Sequence, residues 1–236
     1  MKTLFYTIST PDKAATQCSM MLYSSLASSL GNIDFKVAVP EAAVSSYPSS
    51  FKNLIISSVK PNASWSYVGD LKYTPSVYNL NYDNFVYLDS DILWFIKNFD
   101  ASLNQFATER KPITDAWFST GWSPKNVNRK GVCAGFFCVS KALGLEMSKF
   151  VSDRLAIWGE AKAPEREQST FNQFLESCGY DKWKNVSKLV VAGARPKTKF
   201  RKEKMFHFQG LSGPMDVKYE SMNEFLRNNE LILPPK

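Results

Sequence analysis

Short apolar runs that alternate with helix-like segments constrain this chain more than any other feature. Leu4 to Ser9 reads as a strand, and Pro11-Asp12 then opens a helix running through Cys18 to Leu30, with Met21, Leu22, Leu26 and Leu30 at helical spacing. Phe35 to Val39 reads as a second strand ending at Pro40, and Leu54 to Val59 as a third ending before Pro61. A short helix near Leu71 to Leu80 leads into a strand that ends at Asp89. Strands alternating with helices predict an α/β fold with a central, mostly parallel sheet flanked by helices. Further along, Ile113 to Phe118 and Val132 to Ser140 are expected strands. Leu143 to Trp158 and Gln168 to Cys178 are expected helices, and Ser187 to Ala192 and Met205 to Phe208 late strands.

At 236 residues, with 44% hydrophobic and 14% aromatic content, one globular domain is the simplest expectation. No stretch approaches the eighteen or so consecutive apolar residues of a membrane span. The first residues carry too short an apolar core for a signal peptide. Cys18, Cys133, Cys138 and Cys178 are too scattered for a zinc ribbon and too few for a disulfide scaffold. Cys133 and Cys138 are an odd number of residues apart, so in one strand they face opposite sides. Together these features predict a cytoplasmic protein, bacterial, viral or of a host cytosol, and not a secreted one. The sequons at Asn62 and Asn185 then carry no sugar. The net charge of +7 owes much to Arg195, Lys197, Lys199, Arg201, Lys202 and Lys204. That run reads as a solvated face, a phosphate-contacting lid or a surface for an anionic partner. No nucleic-acid-reading motif accompanies it, so no nucleic acid is expected.

The most informative chemistry lies at the end of the fourth strand. The apolar run Phe85 to Leu88 stops at two carboxylates, Asp89 and Asp91, separated only by Ser90. Paired acids at a buried strand end are costly unless a positive charge compensates them. A hard divalent cation, Mg²⁺ or Mn²⁺, suits oxygen ligands and keeps positions open for phosphates. The competing reading makes Asp91 the cap of a helix starting near Ile92.

With these residues in view, the chain resembles the GT-A-fold glycosyltransferases, most closely the glycogenin-like and galactosyltransferase-like family 8. The likeness spans most of the chain as spaced motifs. Phe5-Tyr6-Thr7-Ile8-Ser9-Thr10, with Ser24-Ser25-Leu26 later, is similar to the family's first strand and helix. Phe85 through Asp91 resembles its metal-binding signature. Cys133-Ala134-Gly135-Phe136 resembles an Asn-Ala-Gly segment, with Cys133 in place of asparagine. Glu167-Gln168-Ser169-Thr170-Phe171-Asn172 resembles an Asp-Gln-x-x-Leu-Asn segment, and His207-Phe208-Gln209-Gly210 followed by Pro214 a His-Phe-x-Gly-x-x-Lys-Pro-Trp segment.

The resemblance implies a GT-A (Rossmann-like) domain over residues 1–236, with a nucleotide-binding half at about 1–92 and an acceptor-side half at about 93–236. Its activity would be Mn²⁺- or Mg²⁺-dependent transfer of a sugar, with retention, from a nucleotide-diphosphate sugar, most simply a UDP-sugar, to a glycan or other acceptor. Thr7, Ile8, Ser9 and Thr10 would hold the base and ribose, with Lys72, Ser90 and Gly210 also lining the donor. Lys72 lies seventeen residues before Asp89, near the place of the family's phosphate-contacting base. Asp89 would bridge metal and ribose, Asp91 would bind the metal, and His207, the chain's single histidine, would be its third ligand. Imidazole tilts the expectation toward Mn²⁺. Glu167 and Gln168 would line the sugar pocket as catalytic groups, while the plainer reading of Glu167 is first-turn charge on a helix. Asp115, Trp117 and Trp122 are further polar or stacking candidates.

Two departures stand out. Gly213 occupies the position of the family's phosphate-gripping lysine, and Met215 that of its tryptophan. Lys204 and Lys218 are the candidates to replace the lost cation. A non-catalytic sugar-nucleotide-binding module is the alternative these departures leave open. A sugar nucleotidyltransferase is a second, although Ser9-Thr10-Pro11-Asp12-Lys13 lacks the glycines of such enzymes' phosphate loop.

Overall fold

The apolar runs of the first half form four parallel strands, β1 (Thr3–Ile8), β2 (Asp34–Pro40), β3 (Leu54–Ser57) and β4 (Asn84–Leu88), lying side by side as β3-β2-β1-β4. The computed structural model describes residues 1–57, 71–100, 107–110, 132–158, 171, 173–175, 177–178, 184–209 and 214–233. Helix α1 (Lys13–Leu30) crosses between β1 and β2. Asp12 starts it by accepting the Ala15 N–H at 2.7 Å, and Gly31 ends it at φ 80°, a left-handed conformation that a side chain would strain. The sheet continues through β7 (Val132–Ser140), antiparallel to β4, to β6 (Ala107–Arg110) and β8 (Lys184–Asn185).

Period-two alternation assigns the side chains to two faces. Leu4, Tyr6, Phe85, Tyr87, Phe137 and Val139 pack on one side, with Val77 and Tyr78 of α2 (Pro75–Tyr78) and Met147 and Val151 of α3 (Lys141–Trp158). Phe5, Val37, Val86, Leu88, Phe136 and Cys138 pack on the other, against Leu22 and Leu26 of α1. Burial on both faces explains why these strands read as continuous apolar runs.

A second sheet joins β5 (Ile92–Trp94), β10 (Met205–His207) and β9 (Val190–Ala192) in that order. Its outer edge at β5 is closed by α1: Ser25 Oγ accepts the Trp94 N–H, and Ser29 Oγ donates to the Trp94 carbonyl, both at 3.0 Å. Helix α4 (Met215–Asn228) completes the unit, its Met222, Phe225 and Leu226 packing with Leu93, Phe206, Phe208 and Cys18.

Several expectations are corrected here. Ile92 opens a strand and not a helix, so Asp91 is no helix cap. Ser187–Leu189 form a 3₁₀ turn, and only Val190–Ala192 are strand. The segment from Leu71 to Leu80 breaks into a 3₁₀ turn, Leu71–Tyr73, and the short α2, because Pro75 bars helix at Thr74. β5, β6, β8 and α4 were not foreseen. The described part of the expected 168–178 helix is helical, whereas the strand expected at 113–118 lies outside the described residues. No helix among the described residues is long and apolar enough to cross a membrane.

Phe225 is fully buried, with its ring 4.7 Å from Phe206 and 5.5 Å from Phe208. Phe225→Ala should cost about 3–5 kcal/mol in urea unfolding. Val217→Ala on the exposed side of the same helix should stay within about 0.5 kcal/mol.

Candidate metal centre

The two sheets meet at Asp89-Ser90-Asp91. The chain leaves β4, turns tightly with the Ile92 N–H bonded to the Asp89 carbonyl at 3.2 Å, and enters β5. Backbone bonds fix both acids: Asp89 N–H donates to Gly135 of β7 at 2.7 Å, and the Asp91 carbonyl accepts from Phe208 at 3.0 Å. Because Ile92 lies opposite His207 in the antiparallel ladder, the imidazole is carried to the same point. Its Nε2 stands 3.6 Å from Asp89 Oδ2 and 3.3 Å from Asp91 Oδ1. Ligand atoms from Asp89, Asp91 and His207 all fall within 4.8 Å of one another.

Each carboxylate also has a lysine. Lys72 Nζ lies 3.6 Å from Asp89 Oδ1, donates to the Ala134 carbonyl at 3.3 Å, and sits 4.7 Å from the centre of the Tyr87 ring. Its own carbonyl accepts Tyr6 and Tyr78 hydroxyls at 2.7 and 3.0 Å. Tyr87 donates its hydroxyl to Asp89 Oδ1 at 2.5 Å. Lys218, from the first turn of α4, pairs with Asp91 Oδ2 at 2.6 Å. Burial by itself would raise both carboxyls. Lys72, His207 and the Tyr87 hydroxyl outweigh it at Asp89, and His207 and Lys218 at Asp91, so both acids titrate below the ordinary carboxylate range. Burial likewise works against the Lys218 ammonium, but Asp91 prevails and its pKa rises.

Gly135 sits where no side chain fits. A Cβ there would come within 2.4 Å of His207 Cε1 and 2.8 Å of Asp89 Oδ2. Thr7 to Thr10 lie at the carboxyl end of β1, beside the end of β4, at the sheet edge where α/β folds bind ligands. There Ser9 Oγ donates to the Thr10 carbonyl at 3.2 Å, and the Thr10 hydroxyl bonds Asp12. Ser90 is half-buried at the tip of the turn.

Of the candidates from sequence, the structure brings Asp89, Asp91, His207 and Lys72 together. Glu167, Gln168, Gly210, Asp115, Trp117 and Trp122 lie outside the described residues. Lys204 hydrogen-bonds the Lys188 carbonyl, whereas Lys218 reaches the acids. Sequence reasoning missed Tyr87 and the exclusion at Gly135. The alternation that puts Tyr87 two residues before Asp89 was a usable signal for the first. The second needed the distance across two sheets.

The donor set suits a hard divalent ion. Bonds of about 2.1 Å in an octahedron separate adjacent ligands by about 3 Å, close to the imidazole–carboxylate separations seen. One oxygen of each acid faces His207 while the other faces a lysine.

Gly135→Ala should displace His207 or Asp89, lowering the unfolding midpoint by about 1–3 kcal/mol equivalent and weakening Mn²⁺ binding in titration calorimetry. For depressed carboxyls, the stabilisation is complete above about pH 4 and is lost as pH falls further. Urea midpoints measured from about pH 5 to about pH 3 should therefore fall less in Asp91→Asn/Lys218→Met than in the unaltered chain. The chain matches no family model, and no curated protein matches it either.

Proposed function

We propose that this chain is a metal-dependent glycosyltransferase of GT-A type that takes a sugar from a nucleotide-diphosphate donor, most simply a UDP-sugar. The observation that carries the reading is the meeting of Asp89, Asp91 and His207 at the carboxyl edge of a mostly parallel sheet. The motif resemblance to family 8 supplies the reaction class and the expectation of retention. The scattered cysteines of the sequence, too few for a disulfide scaffold, agree with a reducing, cytoplasmic setting.

Asp89, Asp91 and His207 would hold Mn²⁺ or Mg²⁺, an ion that keeps open positions for phosphate oxygens and water. When bound, the ion supplies Lewis-acid stabilisation of charge on the departing diphosphate. The remaining work belongs to the protein. Lys72, held by Asp89, the Ala134 carbonyl and the Tyr87 ring, would place a permanent positive charge beside the acids, where developing negative charge is stabilised without reorganisation. Lys218 contributes a second, from the solvent side. Thr7 to Thr10 and Ser90 would offer backbone and hydroxyl groups along that sheet edge for ribose and base. Gly135 keeps the floor low enough for imidazole and carboxylate to approach. Glu167 and Gln168 would face the sugar, and the acceptor would approach over residues 93–236.

A panel of nucleotide sugars screened for Mn²⁺-dependent hydrolysis should give turnover with one donor class. Asp91→Ala and His207→Ala should each lower it about a hundredfold or more, with far-UV circular dichroism unchanged. Turnover that survives both substitutions and EDTA would exclude this function.

A further inference from the structure

The two lysines at the centre are held in different ways. Lys72 is 4% exposed and pinned by Asp89, the Ala134 carbonyl and the Tyr87 ring. Lys218 is 23% exposed on a solvent-facing helix, and its hydrogen bond is to Asp91 Oδ2, on a side chain only 4% exposed. Its four-carbon stem lets the ammonium swing without moving α4. One lysine is part of the frame, and the other is free to exchange its partner.

Charge balance gives that difference a use. Two carboxylates face two ammoniums, so each acid already has a cation beside it before any divalent ion arrives. A dication taking Asp91 must share one buried carboxylate with an ammonium, where like charges repel strongly. The repulsion is relieved if Lys218 leaves Asp91, and relieved further if a polyanion enters beside both cations. A diphosphate does so, and it gives the displaced ammonium a new charge-assisted partner.

We propose that Lys218 is an exchangeable counter-cation. It neutralises Asp91 while the centre lacks a divalent ion, yields the carboxylate when the ion binds, and then pairs with the diphosphate of the ligand. Ion and diphosphate therefore bind cooperatively, and the ion alone binds weakly. This inference rests on the metal-centre reading above and adds to it the means by which ion and donor are coupled.

Titration calorimetry with Mn²⁺ alone, and then with inorganic pyrophosphate added to Mn²⁺-saturated protein, tests it. Lys218→Met should bind Mn²⁺ about tenfold more tightly than the unaltered chain, and pyrophosphate about tenfold more weakly. Lys218→Arg should keep Mn²⁺ affinity near the original. A second measurement needs no substitution: the rate of reductive methylation of Lys218, read by mass spectrometry. It should rise on adding Mn²⁺ and fall again with pyrophosphate, while Lys72 stays unreactive throughout. If the methionine variant does not fold, this labelling decides the matter alone. Equal or weaker Mn²⁺ binding by Lys218→Met, or labelling indifferent to Mn²⁺, overturns the exchange and leaves the metal centre standing. No Mn²⁺ binding by the unaltered chain, with or without pyrophosphate, overturns both.

Discussion

Two carboxylates drawn out of water at the seam between two sheets set the terms for everything around them. Asp91 is almost wholly enclosed, and Asp89 opens to solvent along only part of its side chain. Removing charge from water is expensive, and unpaired charge in such a place is not tolerated. The neighbourhood is built to meet that demand. Two ammoniums, one imidazole and one phenol converge on four carboxylate oxygens, and a glycine leaves room for them to close in.

The demand also explains why two sheets are needed. One continuous parallel sheet delivers strand ends side by side, all pointing the same way. It cannot turn an imidazole back toward the acids. The tight turn after β4 sends the chain into β5, and β5 pairs antiparallel with β10, so His207 faces the corner from the opposite direction. Helix α1 serves both layers. One side covers the main sheet through Leu22 and Leu26, while Cys18 packs with the small-sheet unit and two serines close the β5 edge. A helix with hydroxyls among its apolar positions is suited to that double task, because an uncovered strand edge needs hydrogen-bond partners.

The parts legible in the sequence were those with a long enough period. β1, β2, β4, β7 and α1 carry runs of five or more residues, or a helical repeat with a cap, and their bounds shift by only a residue or so at most ends. In the small sheet, β9 and β10 fall within the expected late strands, whereas β5 was not legible because three residues are too few to show a period of two. Helix α4 has Met222, Phe225 and Leu226 at helical spacing, but Asp216, Lys218, Glu220, Glu224 and Arg227 break up the pattern. At the centre, residue types and order pointed to Asp89, Asp91 and His207. The Lys218 pairing with Asp91 and the tight fit at Gly135 arise from segments that meet only in three dimensions, and no local pattern encodes them.

The seam has a consequence for how the molecule assembles. β1, β2 and β3 pair with their neighbours in sequence, while β4 reaches back to β1 and sets Asn84 beside Thr3. Ile92 must find His207 across more than a hundred intervening residues, and closing so long a loop is slow compared with local pairing. Until β10 docks, Asp89 and Asp91 sit on a partly built sheet with Lys72 as their nearby cation. Their mutual repulsion then opposes early closure of the corner, and arrival of the late segment removes it. The acids at the corner thus reach their full set of partners only once the late segment has docked.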